Sequence, residues 1–347
     1  MLVDSPPEER AATAAAPPTR RAARALGLLL CVAVLALAVL AGIAVGAKDL
    51  SPAQVWHGLF QNSGTYGDVV VDERLSRTVL GLLAGAALGL SGAVLQALTR
   101  NPLADPGILG INAGASAAVV TALTYFGVTS LSGYVWFAFL GAAAVGALVW
   151  FLGGSRGATP VRLALAGTAI SAALYGYLQA VMILDDAALG KMRFWTVGSL
   201  ASATDATIVQ VLPFLAVGTV LALLLARPLN ALAMGDDTAR ALGANLNRTR
   251  ALAMLAATLL CGAATAACGP IVFVGLMVPH AVRSFTGPDL RWIMPYAAVL
   301  SPVLLLGADV VGRIVARPAE VQVGVVTAII GGPVFILLVR RRRTAQL

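Results

Sequence analysis

Long apolar runs alternate with short polar ones along almost the whole chain. The apolar runs lie at 26–47, 79–98, 107–126, 134–152, 163–184, 207–226, 251–269, 271–282, 293–311 and 323–339. A helix that crosses a bilayer needs about 20 mostly apolar residues. Most of these runs therefore predict one span each. The stretch 251–282 is too long for one comfortable helix, and Gly269-Pro270 interrupts it. Proline removes a backbone donor and breaks a helix, so two spans are counted there, the second short. The pattern predicts an all-α polytopic membrane protein with ten transmembrane helices.

Charge orients these spans. With ten crossings and both termini cytoplasmic, 17 of the 24 Lys and Arg residues lie inside, including Arg100, Arg227, Arg240, Arg248, Arg250 and the run Arg340 to Arg343. The outer side holds Lys48, Arg74, Arg77, Lys191, Arg193, Arg313 and Arg317. Reading 251–282 as one span would put the basic C-terminal run outside, against the positive-inside rule. Residues 25–343 form the membrane domain. Residues 1–24 are expected to be a disordered cytoplasmic tail, given their Ala, Pro, Arg and Glu content, and 344–347 a C-terminal tail.

Polar segments between the spans carry local signals. Ser51-Pro52-Ala53-Gln54 reads as a capping box with proline at the first helical position, so a short interfacial helix is expected over 52–60. His57 on that helix reads as a surface histidine. Arg74 and Arg77 share a face if their turn is helical. Outer arginines are unusual and favour an acidic partner over a membrane anchor. Gln96 within a span needs a bond from a neighbouring helix. Asp105 can cap the helix after the tight turn Asn101-Pro102-Leu103-Ala104-Asp105-Pro106. Ser171, Tyr175 and Gln179 make one of the more polar faces in the membrane. They read equally as pathway lining or as interhelical bonding. A short helix or hairpin is expected within 185–206. The polar island 227–250 predicts a cytoplasmic coupling loop, with a helix capped by Asp236, stopped by Gly243, and carrying Ala239, Leu242 and Leu246 as a small apolar face.

Composition narrows the chemistry. The chain is 59% hydrophobic and 12% charged, against about 25% charged in soluble domains. The net charge of +8 follows span orientation and does not indicate nucleic acid. Cys31, Cys261 and Cys268 sit in apolar runs and read as small buried hydrophobes. No phosphate-cradling G-x-x-x-x-G-K-[ST] and no H-E-x-x-H occurs, and Gly153-Gly154-Ser155-Arg156-Gly157 is Gly-rich but lacks the lysine of a phosphate loop. No catalytic residue, resident metal or cofactor is expected in this chain. Transport through it would draw energy from another subunit. GAALGLSG at 85–92 and GAATAACG at 262–269 match at four of eight positions, a similarity that chance explains in a Gly/Ala-rich chain.

Six stretches carry a resemblance: RLSRTVLGLLAGAALGLSGAVLQALTRNPLADPGILGINAGA (74–115), LALAGTAIS (163–171), LAMGDDTARALGAN (232–245), GPIVFVGLMVPHAVRSFTGPD (269–289), GADVVGR (307–313) and GVVTAIIGGPVFILLVR (324–340). Together they resemble the permease subunits of type II ABC importers, the FecCD family that takes up iron–siderophore complexes, haem and cobalamin. The resemblance implies the type II ABC importer permease fold with ten spans. It implies a second permease subunit (the same chain or a paralogue), two cytoplasmic ATPases that bind ATP and Mg, and an extracytoplasmic binding protein. Arg74, Arg77 and Arg313 match outer arginines that meet glutamates of that binding protein. Gly235, Asp236, Asp237, Ala239, Arg240, Leu242 and Gly243 fall on the helix that couples to the ATPase. Gln96, Arg100, Asn101, Pro102, Pro279 and His280 match structural motif positions. Ser76 and Gln322 depart from prolines usual in the family, which leaves the outer turn and the start of the last span less constrained.

The function expected is import of a metal chelate, foremost an Fe(III)-siderophore, with haem or cobalamin as alternatives. An ion-coupled secondary transporter would need intramembrane acids, and Asp309 lies only near the outer end of its span. A membrane-embedded enzyme would need a nucleophile, base or metal constellation that the chain lacks.

Overall fold

The computed structural model of the protein describes residues 19–48, 50–61, 64–128, 130–154 and 160–343. Among these the regular structure is entirely helical. The helices are α1 (Thr19–Ala44), α2 (Pro52–Phe60), α3 (Tyr66–Leu98), α4 (Ile111–Tyr125), α5 (Leu131–Gly154), α6 (Pro160–Leu184), α7 (Asp186–Trp195), α8 (Asp205–Leu224), α9 (Ala226–Ala233), α10 (Asp236–Ala241), α11 (Leu246–Cys268), α12 (Val274–Thr286), α13 (Leu290–Val315) and α14 (Val323–Arg343). A 3₁₀ turn, Pro106–Leu109, precedes α4.

Each of the ten apolar runs overlaps a helix. Seven helices, α1, α3, α5, α6, α8, α11 and α13, are long and apolar enough to cross a membrane, and α4 and α14 are shorter apolar helices. Several bounds differ from expectation. Helix α1 starts at Thr19, so the end of the expected tail is helical, and residues 1–18 and 344–347 lie outside the described residues. Helix α3 starts at Tyr66, well before the apolar run at 79. The Thr65 side chain and Asp68 form a second capping box there, which hydropathy does not register. At about 1.5 Å per residue α3 is about 50 Å long, more than a hydrocarbon core of about 30 Å.

The fold is organised around α3, which packs against α11, α12 and α13. Small residues allow this. A Cβ at Gly92 would sit 1.8 Å from the Gly275 carbonyl oxygen, and one at Gly85 would sit 2.6 Å from the Pro302 backbone. Lipid offers no hydrophobic drive between helices, so close backbone approach supplies the packing. The most apolar windows of α3 and α11 are each 78% buried, against 11% for α1 and 17% for α6. Cys261 and Cys268 are buried in this core, while Cys31 is half-buried.

The polar expectations mostly find partners. The Ser51–Gln54 capping box forms in both directions. His57 differs from the expected surface histidine: its Nδ1 lies 3.0 Å from the buried Asp68 carboxylate, tying α2 to α3. Gln96 Nε2 donates to the Leu276 carbonyl at 2.9 Å, the neighbouring-helix bond that its depth requires. Asp105 accepts from Gly107 N at 2.8 Å and so caps the 3₁₀ turn, with α4 beginning only after Gly110. Ser76 lies inside α3, and its hydroxyl donates to Asp205 of α8 at 2.6 Å. The proline usual there is replaced by an interhelical bond.

Candidate functional site: polar networks at the two ends of α3

The first network lies where α3 begins. Helix α1 ends in carbonyls that have no partner within the helix, as every helix does. Arginines from α3, from α13 and from just after α13 take these and the carbonyls that follow. Arg313 donates to Gly42 O at 2.9 Å. Arg74 donates to Ile43 O at 3.1 Å, Ala44 O at 3.0 Å and Lys48 O at 2.5 Å. Arg317 reaches Gly46 O at 2.6 Å. Cations at a helix C-terminus also oppose its macrodipole favourably. At the far end of α1, the Tyr296 hydroxyl donates to Arg24 O at 2.6 Å. A sparsely buried helix is thereby held at both ends.

Arg77 takes a different part. It forms a multiply bonded pair with Asp309 of α13, the closest contact being 2.7 Å, and a second pair with Glu320 at 2.7 Å. Asp309 also meets Arg313 at 3.0 Å. Arg74, Arg77, Arg313, Glu73 and Glu320 line a cavity of about 200 Å³. The structure thus brings the three outer arginines together, as the sequence motifs suggest, but turns them inward. Arg74 and Arg313 are 6% and 2% exposed. Their bonds to backbone carbonyls could not be read from sequence, since they join residues about 30 and 271 positions apart.

The second network lies just past the other end of α3. The island 227–250 forms two helices, α9 and α10, where one was expected. Gly235, with φ +114, separates them, and Gly243, with φ +80, follows α10. Asp236 does not cap α10: Gly235 holds the cap position without a side-chain bond, and Asp236 is the first helical residue. Its carboxylate is taken by two arginines. Arg250 Nη2 donates at 2.7 and 2.9 Å, and Arg100 donates a second short contact. Arg100 Nε also donates to Leu232 O at 2.9 Å. The hydrogen bonds from Arg250 and then Arg100 hold the Asp236 carboxyl below the usual carboxylate range, against partial desolvation.

Arg100 has φ +51, a left-handed conformation that usually falls to Gly or Asn. For a residue with a Cβ this costs about 1–2 kcal/mol. Within the expected apolar face of α10, Ala239 and Leu246 are buried, whereas Leu242 is 62% exposed. Met234, which ends α9, is 60% exposed. Asp237 pairs with Arg240 on the outside of α10 at 3.0 Å.

The remaining motif residues are dispersed. Asn101 turns the chain, its side chain accepting from Leu103 N at 3.0 Å before Pro102 leads into the bend. Pro279 lies inside α12, and His280 beside it is nearly buried. Ser171 donates to Gly167 O of its own helix at 2.7 Å, while Tyr175 and Gln179 face outward from α6. Among the described residues, no three His, Cys, Asp or Glu side chains cluster as a metal site would require.

A helical bundle of this kind, with seven helices long and apolar enough to cross a bilayer and polar networks at both ends of one buried helix, is a multi-pass membrane protein. Residues 34–341 match the model of the FecCD transport family. The chain is 46% identical over 93% of its length to the ferric enterobactin transport system permease protein FepD of Escherichia coli, covering 96% of that protein. To FepG, a ferric enterobactin transport system permease protein of Escherichia coli, it is 37% identical over 90% of the chain and 95% of the relative. Its fold is similar to that of a metal-chelate type ABC transporter in an inward-facing conformation, with TM-score 0.80 and 27% identity over 92% of this chain and 99% of that one. The chain belongs to the FecCD family.

Proposed function

We propose that this chain is the membrane subunit of an ATP-driven importer that moves an Fe(III)-siderophore into the cytoplasm. The working unit pairs it with a second permease, the same chain or a paralogue, on two cytoplasmic ATPases, below an extracytoplasmic binding protein. The chain crosses ten times with both termini inside. The distribution of basic residues supports that topology, and the similarity to FepD and FepG supports siderophore over haem or cobalamin. The observation that carries the reading is the α9–α10 hairpin. It projects the exposed Met234 and Leu242 and is bonded at its base to the ends of α3 and α11. A chain without a nucleotide motif needs such a rigid handle for another protein to drive it.

Docking of the binding protein is assigned to the cavity lined by Arg74, Arg77 and Arg313. An acidic side chain of the partner would compete with Glu320 for Arg77. Such charges steer and orient a partner more than they supply affinity. Tyr175 and Gln179, with Ser171 one turn away, are assigned to the pathway, because the α6 face that carries them is uncovered in the single chain. Alternating access then follows from two arrangements of the spans.

Reconstitution in liposomes tests this. Uptake of labelled ferric enterobactin is expected only with the ATPase and binding protein present. Uptake without the ATPase would refute the reading in favour of a secondary transporter. Transport of haem or cobalamin in place of the ferric chelate would reassign the substrate.

A further inference from the structure

The handle is attached in an unusual way. Helix α10 has six residues and is flanked by glycines at positive φ, and a Cβ at Gly235 or Gly243 would meet nothing within 4 Å. Besides backbone hydrogen bonds at both glycines, α10 has two side-chain attachments: burial of Ala239, which is 0% exposed, and the Asp236 carboxylate. That carboxylate is bonded to Arg250, one turn into α11, and to Arg100, just past α3. Those two helices are the most buried of the long apolar helices. Arg100 keeps a left-handed backbone to reach this position while its Nε holds the last turn of α9 through Leu232 O. A strained residue persists where its surroundings demand it, and such strain gathers at functional positions. The side chain of Arg250, only 8% exposed, has Asp236 as its opposite charge, and a buried charge left unpaired is costly.

We infer that Asp236, Arg100 and Arg250 form a carboxylate-centred clamp that passes movement of α10 directly to the core helices α3 and α11, so that these are positioning residues for coupling rather than contacts to the ATPase. The inference rests on the reading of α10 as the ATPase handle. Asp237, Arg240 and Leu242, which are exposed, are left to make the ATPase contact.

The test uses the full complex in liposomes with its ATPase and binding protein. Asp236→Asn and Arg250→Gln are expected to keep co-purification of the ATPase and its hydrolysis, while uptake per ATP falls about tenfold, in the ordinary range of coupling between sites. Asp236→Glu should restore most of it. Arg100→Gln provides a third entry to the clamp if either first variant fails to fold, judged by its elution as a monodisperse permease in detergent. Unchanged uptake per ATP in all three neutral variants would overturn the clamp. Loss of the ATPase from Asp236→Asn would also overturn it, since Asp236 would then belong to the contact itself. The handle reading fails separately, if the ATPase still co-purifies after 235–243 is replaced by a Gly/Ser linker.

Discussion

Arg74→Met separates two roles for the outer arginines. The substitution keeps an apolar stem of similar length and removes the guanidinium. Two nitrogens of that group serve three carbonyls: Nη1 reaches Ile43 O and Ala44 O, and Nη2 reaches Lys48 O. Counting one charge-assisted bond per nitrogen at about 1.5 kcal/mol, the loss is about 3 kcal/mol. The helix-end charge effect adds about 0.5 kcal/mol. Polar bonds in membrane proteins average nearer 0.6 kcal/mol, and Lys48 O can turn to water, so a net loss of about 2 kcal/mol is expected. Only 11% of the most apolar window of α1 is buried, which leaves little packing to compensate. The assay is reversible unfolding of the detergent-solubilised chain, with a cysteine cross-link between α1 and α13 as a local report. Stability within about 0.5 kcal/mol of wild type, the range of an ordinary surface change, would refute the capping role if binding-protein affinity still fell. Arg74 would then act purely as a docking charge.

Other outcomes follow from the same geometry. Gly92→Ala places a methyl against the Gly275 carbonyl; overpacking of this kind costs about 1–3 kcal/mol, so a lower melting temperature is expected, and an unchanged one would show that α12 yields. Arg77→Glu should weaken binding-protein affinity in a salt-dependent manner, read by titration into the reconstituted complex; unchanged affinity would remove Arg77 from docking. Asp289 is held down to about 2, first by hydrogen bonds from the Arg291 side chain, with the Arg291 backbone and Asn230 adding to it. Its ordinary value is about 3.9, so its contribution is full above that pH and lost as the pH falls toward 2. Asp289→Asn should flatten that part of the stability–pH curve, and a curve superimposable on wild type would refute the linkage.

The helical elements were legible where one rule acted alone. Apolar run length located the spans, Ser51 with Gln54 predicted α2, and Gly269-Pro270 marked the break before α12. Expectation failed where a polar group had a distant partner. Asp236 reads as a cap from its neighbours, yet it is claimed by Arg100 and Arg250, 136 and 14 residues away. His57 reads as a surface residue, yet Asp68 lies beneath it. The first part of α3 carries Asp68, Asp72, Glu73, Arg74 and Arg77, so hydropathy ends the span near 79 although the helix continues to Tyr66.

By itself, then, the sequence determined an all-helical membrane protein, the approximate position of its helices and the family. Hydrophobic length and basic-residue placement are properties of the chain that any fold in a bilayer must respect. Only the tertiary structure decided what the polar residues do. Arg74 and Arg313 cap a helix that neither belongs to, Arg77 is shared between Asp309 and Glu320, and Asp236 fastens α10 to Arg100 and Arg250. Each of these outcomes depends on which unsatisfied group lies within about 3 Å, a distance set by helix packing that local sequence does not encode.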